Sequence, residues 1–557
     1  MQIENFLFMK KNLLLFLGCF ALLSVNSQLV NNGAVIRIQP GAFIKCTGDV
    51  QNLAGGTITN DGKLEVQGSF TNSAIYNTTT GDDSLIMSGG SGGTVTLNGG
   101  ASTTLSYLTI NKTSAADIVK LAGTTLVGVK LDFLSGTFTT DPIVNPSFVL
   151  QSPTSAVYSF AAGMEIVGRV RRTVWSNGPT VVFNAPHMQV STTGGTQPTD
   201  FTVTMIPQSA GGDPTQAERE VKRKFQFAQT GGTGFLANIR FPYMFGELTA
   251  TNTEANLVPW ELIAAEWNGR LTPVTRDGAN DWVSTTGIAA AALLNEWKLA
   301  DPRYTINATA YLRGAWANGP TMTINLRTAG VIPLGQPYNT TPFNYTGTES
   351  VPTIPANVTD WILIELRKPA SGLPADATFN TVNTVIGRKA GFLLNTGVAV
   401  DLDGVTPIAF DINKQGPSFI VVRHRNNLSV MSNSILSNAT GTFANNFSTT
   451  PNTNVYKAPG ASSDPVVLLP SSALYGMWAG DANKSNSVNS IDVNAIKTAI
   501  SLLLSGYQLQ DVNMNAAINS LDVNLTKGTI STLGQSSTPA RSITPNPNVI
   551  IKSSVPD

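Results

Sequence analysis

The chain has 557 residues, enough for three or four domains, and its 35 basic and 35 acidic side chains cancel, which removes the electrostatic case for nucleic acid or an anionic membrane. Charged residues make up only 13% of it, against a usual share of ~25%, and Thr, Ser, Asn and Gly take their place, as in extracellular β-proteins. His187 and His424 are the only histidines, too few for a His-rich metal site and nearly excluding a His-dependent triad.

The first segment, residues 1–27, reads as a signal peptide. "MKKNLLLFLGCFALLSVNSQ" starts at Met9 with two lysines and continues through an apolar run to Val25. It ends in Val-Asn-Ser before Gln28, so cleavage is expected after Ser27. A lipoprotein reading through Cys19 is weaker, because Phe-Leu-Gly is a poor acylation motif and apolar residues follow the cysteine. No other run reaches membrane-spanning length, which predicts a secreted or cell-surface chain with no membrane span after cleavage. Cys46 is then the sole cysteine, so stability has to come from burial or from metal rather than a disulfide.

Residues 28–150 carry short β-branched runs between Gly/Asn turns, among them "AVIRI", "KLEVQGSF", "TVTLNGG" and "YLTINKT". Strands this short at this spacing predict stacked rungs, a β-solenoid-like domain, with a third β-sandwich as the rival arrangement. Residues 151–303 and 304–470 have longer strands that alternate in polarity and carry aromatics, predicting two antiparallel β-sandwiches. In "DWILIELRK", Trp361, Leu363, Glu365 and Arg367 share one face and Ile362, Ile364 and Leu366 the other, the pattern of a central strand. After Trp478 the period becomes helical, giving a small α module over 474–535 and a Ser/Thr/Pro-rich tail, expected to be disordered, over 536–557.

Within that module a loop is duplicated. "DANKSNSVNSIDVN" (481–494) aligns with "DVNMNAAINSLDVN" (511–524), with identical residues at positions 1, 3, 9 and 12 and an apolar residue at position 8. Each loop precedes a helix. This pair resembles a dockerin module, whose loops bind two calcium ions and which docks onto a cohesin. The resemblance implies calcium ligands at Asp481, Asn483, Ser485, the Ser487 carbonyl and Asp492, and in the second loop at Asp511, Asn513, Asn515, the Ala517 carbonyl and Asp522. Each loop offers two carboxylates, and the turn glycine at position 6 is replaced by Asn486 or Ala516. Fewer charges predict weak affinity, in the extracellular range of ~10⁻⁴–10⁻³ M. Ala516 at a left-handed position predicts a bent, weaker second loop. The competing reading is a degenerate pair held by Asn and Ser hydrogen bonds without metal. Upstream, "DWILIELR", "DLDG", "FIVVRHRNNLSVMS" and "YGMWAGDAN" occur in the order seen in secreted, dockerin-tailed surface proteins of Gram-negative bacteria, labelled hemagglutinin-like or adhesin-like. "TPNPNVIIKSSVPD" opens like their type IX sorting domain but is too short to form one.

Other signals read as structural. "GGSGG" (89–93) fits a nucleophile-elbow pattern but lacks a following helix. Arg423 and Arg425 are expected on one strand face and His424 on the other. "DLDG", with Asp401 and Asp403, reads as a turn, and "REVKRKF" (219–225) as a solvated strand face. The expected function is therefore non-catalytic: an adhesive or scaffolding surface or matrix protein. Its expected partner is a surface or matrix protein (cohesin-like, or a second copy) or a glycan. A carbohydrate-binding reading needs two or three tryptophans exposed in a row. A polysaccharide-degrading solenoid enzyme needs a charged cluster on one solenoid face.

Overall fold

The computed structural model describes residues 28–533, apart from 91, 101–102, 208–218, 249–251, 318, 378–383, 450, 452, 460 and 462, together with the strands Leu23–Val25 and Ile551–Lys552. The leader with Cys19 and its cleavage site, and the predicted tail, lie outside the described residues except for those two strands. The fold is mainly β, 44% strand and 9% helical, with an N-terminal solenoid of about 6 turns and several separate sheets. No helix among the described residues is long and apolar enough to cross a membrane. Two compact units divide the chain, Met1–Asp301 and Pro302–Asp557.

In the first unit, parallel pairing stacks like on like. Cys46 sits beside Val66, Val66 beside Met87, Met87 beside Ile110 and Ile110 beside Phe133. A second column runs Leu64, Leu85, Leu108, Leu131, all buried. Another face stacks Val50, Phe70, Leu97 and Leu121. No single turn can enclose its own apolar side chains. Stacking buries them, and each fully buried Leu contributes about 1.5–3 kcal/mol. One corner is held by a ladder of buried amides: Asn31 Nδ2 donates to Asn52 Oδ1 (2.9 Å), Asn52 Nδ2 to Asn72 Oδ1 (2.7 Å), and Asn72 Nδ2 to Thr103 Oγ1.

The strand Ile166–Thr173 ends the solenoid and begins the sandwich. Its Val170 pairs in parallel with Leu150 and, on the other side, antiparallel with Val203. The sheet continues antiparallel through Asp200–Pro207, Glu220–Thr230, Glu296–Ala300 and Val258–Ile263. A five-stranded sheet containing Leu236–Pro242 and Trp282–Ala289 packs across it. Phe241 meets Phe225 at 5.1 Å and Trp297 at 5.8 Å between the two layers, and one buried cluster extends from Ile38 to Leu299.

The second unit is built on Val358–Arg367, buried at all ten residues and lying between Val385–Leu394 and Phe419–Arg423. This is the central strand that the sequence pattern predicts. A three-stranded sheet of Ile408–Asp411, Arg303–Thr309 and Thr442–Asn446 shares its core. The helices Ser490–Ser501 and Ser520–Leu533 follow, each preceded by one of the twin loops.

Candidate metal centre

Each loop is folded by its own side chains onto its own backbone. Asp481 Oδ1 and Oδ2 accept the N–H groups of Ser485 and Asn486, both at 2.8 Å, and Asn483 Oδ1 also accepts from Ser485 N (2.9 Å). The second loop repeats this: Asp511 accepts from Asn515 N (3.1 Å) and Ala516 N (2.8 Å), and Asn513 from Asn515 N (3.1 Å). Left-handed backbone occurs at the same places in both, Lys484 and Asn486, then Met514 and Ala516. The second loop is therefore not bent away from its twin, contrary to the sequence expectation. The surrounding hydrogen bonds force Ala516 into the geometry that asparagine or glycine would adopt more readily.

The identical residues at positions 9 and 12 also have a capping role that the loop alignment alone does not reveal. Asn489 Oδ1 accepts from Ile491 N (2.8 Å) while Asp492 Oδ2 accepts from Asn489 N (2.8 Å), a capping box at the first helix. Asn519 and Asp522 make the same two bonds, at 2.8 and 2.9 Å. The repeated "NSIDVN" and "NSLDVN" carry that signal in the sequence. The other Asp492 oxygen accepts Ala482 N (2.9 Å), next to Asp481, and the other Asp522 oxygen accepts Asn513 N (3.1 Å).

The candidate ligands gather unequally. In the first loop Ser485 Oγ lies 3.2 Å from the Ser487 carbonyl oxygen and 2.9 Å from Ser487 Oγ, so positions 5 and 7 converge. In the second, Asn515 Oδ1 instead accepts the Ala517 N–H (2.9 Å). Burial pushes the Asp492 carboxyl up to about 6, opposed by backbone N–H bonds. Burial likewise pushes Asp511 up to about 6, opposed first by the Arg425 guanidinium and reinforced by the charge of Asp522, which is itself raised by burial. Hard oxygen donors around partly buried carboxylates suit calcium, and the N–H bonds leave second lone pairs on the carboxylate oxygens. Among the described residues no group of three or more His, Cys, Asp or Glu side chains gathers as a metal site.

The loop pair is bound to the sheet beside it. Past the end of Phe419–Arg423 the chain turns, so His424 and Arg425 both reach Asp360 instead of taking opposite strand faces. Their Nε2 and Nε atoms lie 3.1 and 2.8 Å from Asp360 Oδ2. Tyr507 OH donates to the other Asp360 oxygen (2.7 Å) and its ring lies 4.3 Å beneath the Arg425 guanidinium. Arg425 Nη1 donates to the Gln508 carbonyl, while Asn426 Nδ2 donates to the carbonyls of Leu509 (3.1 Å) and Asp511 (2.9 Å). Met514 is buried in the core of the second unit, and Gly314 approaches the Val512 carbonyl so closely that a β-carbon would lie 1.9 Å from it.

The other sequence signals resolve as follows. "REVKRKF" is not a solvated face: Arg219, Glu220 and Arg223 are buried, and Arg223 binds Glu165 (2.6 Å) and Glu247 (3.0 Å). "DLDG" is a turn in which Asp403 accepts from Val405 and Thr406. "GGSGG" starts at the last residue of the strand Ser84–Gly89 and leads into the strand Thr94–Asn98, its Ser91 outside the described residues. None of the eight tryptophans is exposed. Six are buried, while Trp267 and Trp282 are half-buried on different sheets under Lys298 and Arg240. On the solenoid surface Lys45 pairs with Glu65 and Lys130 with Asp132, each at 2.9 Å. No family model, curated protein or solved structure matches this chain.

Proposed function

We propose that this chain is a non-catalytic, exported surface or matrix protein with an adhesive or scaffolding role, whose dockerin-like loop pair takes up calcium. The observation that carries this reading is the matched geometry of the two loops. The same carboxylate and amide positions, the same left-handed residues and the same capping boxes recur thirty positions apart. Paired solenoid charges and enclosed tryptophans favour it over the polysaccharide-degrading and aromatic-platform readings. When bound, calcium would supply positive charge beside the buried carboxylates of Asp481, Asp492, Asp511 and Asp522. Asn483, Ser485, the Ser487 carbonyl, Asn513, Asn515 and the Ala517 carbonyl are the accompanying oxygen donors. The partner is a surface or matrix protein, a second copy of this chain, or a glycan.

Calorimetric titration of the full chain with calcium, alongside sedimentation with and without a chelator, tests this. Heat release with an affinity of ~10⁻⁴–10⁻³ M, together with calcium-dependent self-association or capture of a defined surface component, is the expected result. No heat and no change in thermal unfolding at millimolar calcium would show that the loops are held by their own hydrogen bonds alone.

A further inference from the structure

We infer that the outward face of the five-stranded sheet in the first unit recognises a carboxylate-bearing glycan, with Arg240 as the group that reads the acid. The inference rests on the adhesive reading above and narrows its glycan partner to an acidic one. The site itself needs neither calcium nor the twin loops.

The strands Gln189–Thr193, Leu236–Pro242 and Trp282–Ala289 lie side by side, with Val274–Asp277 at the edge. Val190, Ile239 and Val283 are buried in the core, so strand alternation turns Gln189, Ser191, Asn238, Arg240, Trp282 and Ser284 to the other side, where each is half-buried. Register places Gln189, Arg240, Ser284 and Thr275 in one row across four strands. Neighbours in such a row stand about 4.8 Å apart. Ser191 and Asn238 are partners in the next row, with Asn238 Nδ2 3.5 Å from Ser191 Oγ. Amides and hydroxyls both donate and accept, as binding to sugar hydroxyls requires. In these four strands Leu236 is the only exposed large apolar side chain, so the face lacks the aromatic anchors of a protein interface.

Arg240 supplies the charge. Its guanidinium carbon lies 3.9 Å from the centre of the Trp282 ring. This contact occupies one face of the indole, which is why Trp282 is no platform for a sugar, and it fixes the guanidinium while leaving the N–H groups unused. Among the described residues the Arg240 side chain makes no hydrogen bond and no ion pair. By contrast, Arg223, Arg367, Arg423 and Arg425 each meet a carboxylate. Asp277, the register partner of Trp282, spends its oxygens on its own turn instead. It accepts from Ala279 N (3.1 Å), Asn280 N (3.2 Å) and Asn280 Nδ2 (2.8 Å). A held, unpaired guanidinium presents a planar fork that matches a carboxylate bidentately. An acid group on a sugar therefore meets Arg240 while the neighbouring hydroxyls meet Gln189, Ser284 and Thr275.

The test titrates the full chain calorimetrically with galacturonate and mannuronate tetramers, their methyl esters, and hexaglutamate. At least one acidic tetramer should bind about tenfold or more tighter than its ester, which differs only in lacking the charge. Hexaglutamate, which has the charge without the sugar, should bind far more weakly. Arg240→Ala should remove the preference for acid over ester, and Arg240→Lys should restore little of it, because an ammonium lacks the fork. Ser284→Ala should weaken acid and ester alike by about threefold. Arg169→Ala, on the solvent side of the other sheet, should change nothing. Equal binding of acid and ester, no binding of either tetramer, hexaglutamate binding as tight as the sugar, or an equal loss in Arg169→Ala overturns the inference. Should Arg240→Ala fail to fold, the acid–ester comparison in the unaltered chain still decides. Calcium uptake and calcium-dependent association that persist beside a negative result leave the adhesive reading standing. Sugar binding without calcium uptake overturns the loop reading and leaves this one.

Discussion

Ala516 occupies a left-handed conformation at φ 68°, where its twin in the first loop is Asn486 at φ 59°. A β-carbon at such an angle costs roughly 1–2 kcal/mol that glycine does not incur. Ala516→Gly should therefore stabilise the second unit by about 1 kcal/mol, after allowing for the greater freedom of glycine in the unfolded chain. Urea unfolding checks the sign, and a loss of stability would mean that the methyl group packs to more effect than the angle costs. A second residue makes stability depend on pH. Burial alone would raise the Glu365 carboxyl, but Arg423, Arg367 and Arg388 outweigh it and hold it down to about 2, below its ordinary 4.5. Arg367 Nε and Arg423 Nε lie 2.9 and 3.2 Å from its oxygens. Because the folded state prefers the ionised form, this contribution is complete above about pH 4.5 and is lost as pH falls toward 2. Glu365→Gln should remove that part of the acid dependence and cost about 3–5 kcal/mol at neutral pH, since it leaves buried guanidinium groups without their counter-charge. Stability curves at pH 2–6 for the two proteins should converge at the acid end.

At the scale of elements, the amide ladder tests whether the solenoid turns are coupled through their corner. Asn52 is both acceptor for Asn31 and donor to Asn72. Asn52→Ala removes its bonds to Asn31, Asn72 and the Ile75 carbonyl, while Asn31 Nδ2 keeps the Ala34 and Thr57 carbonyls and Asn72 Oδ1 keeps the Ala74 N–H, so the expected cost is about 0.5–1.5 kcal/mol for each bond lost. Hydrogen exchange should rise in Leu29–Asn31 and Phe70–Asn72, while a change confined to residue 52 and its immediate neighbours would show that the corner is held by backbone alone. The β-rich elements and their two styles were legible because strand length and period are local properties. The solenoid rungs, the central strand Val358–Arg367 and both final helices each announce themselves within ten or twenty residues. The candidate loops were legible for the same reason, through their internal repeat. Long-range charge pairing was not. Arg425 finds Asp360 across 65 positions and Tyr507 finds it across 147, so a buried ionic anchor looks in sequence like an ordinary polar stretch. The buried arginines of 219–225 were hidden in the same way, because Arg223 meets carboxylates 58 and 24 positions away.

At the scale of the whole molecule, the two compact units solve burial differently: the second gathers its sheets around a central strand, while the first grows by repetition. Repetition makes chain length negotiable. Leu64 and Leu85 are register partners, as are Val66 and Met87, so excising residues 64–84 would splice Lys63 to Leu85 and set Leu85, Ile86 and Met87 where Leu64, Glu65 and Val66 had been. The shortened chain should fold with one turn fewer, Leu85 resting beside Ile44 and Leu97 beside Val50, with the strand-to-sandwich junction at Ile166–Thr173 unchanged. Excising residues 64–83 instead is off by a single residue. Because strand side chains alternate with a period of two, it would turn the first strand after the splice inside out, and circular dichroism and thermal unfolding should show that this variant loses the cooperative transition that the in-register excision keeps. A gene encoding such a column can lengthen or shorten its product by whole turns without redesigning either end, so the reach of the first unit is an inheritable quantity set in steps of one rung.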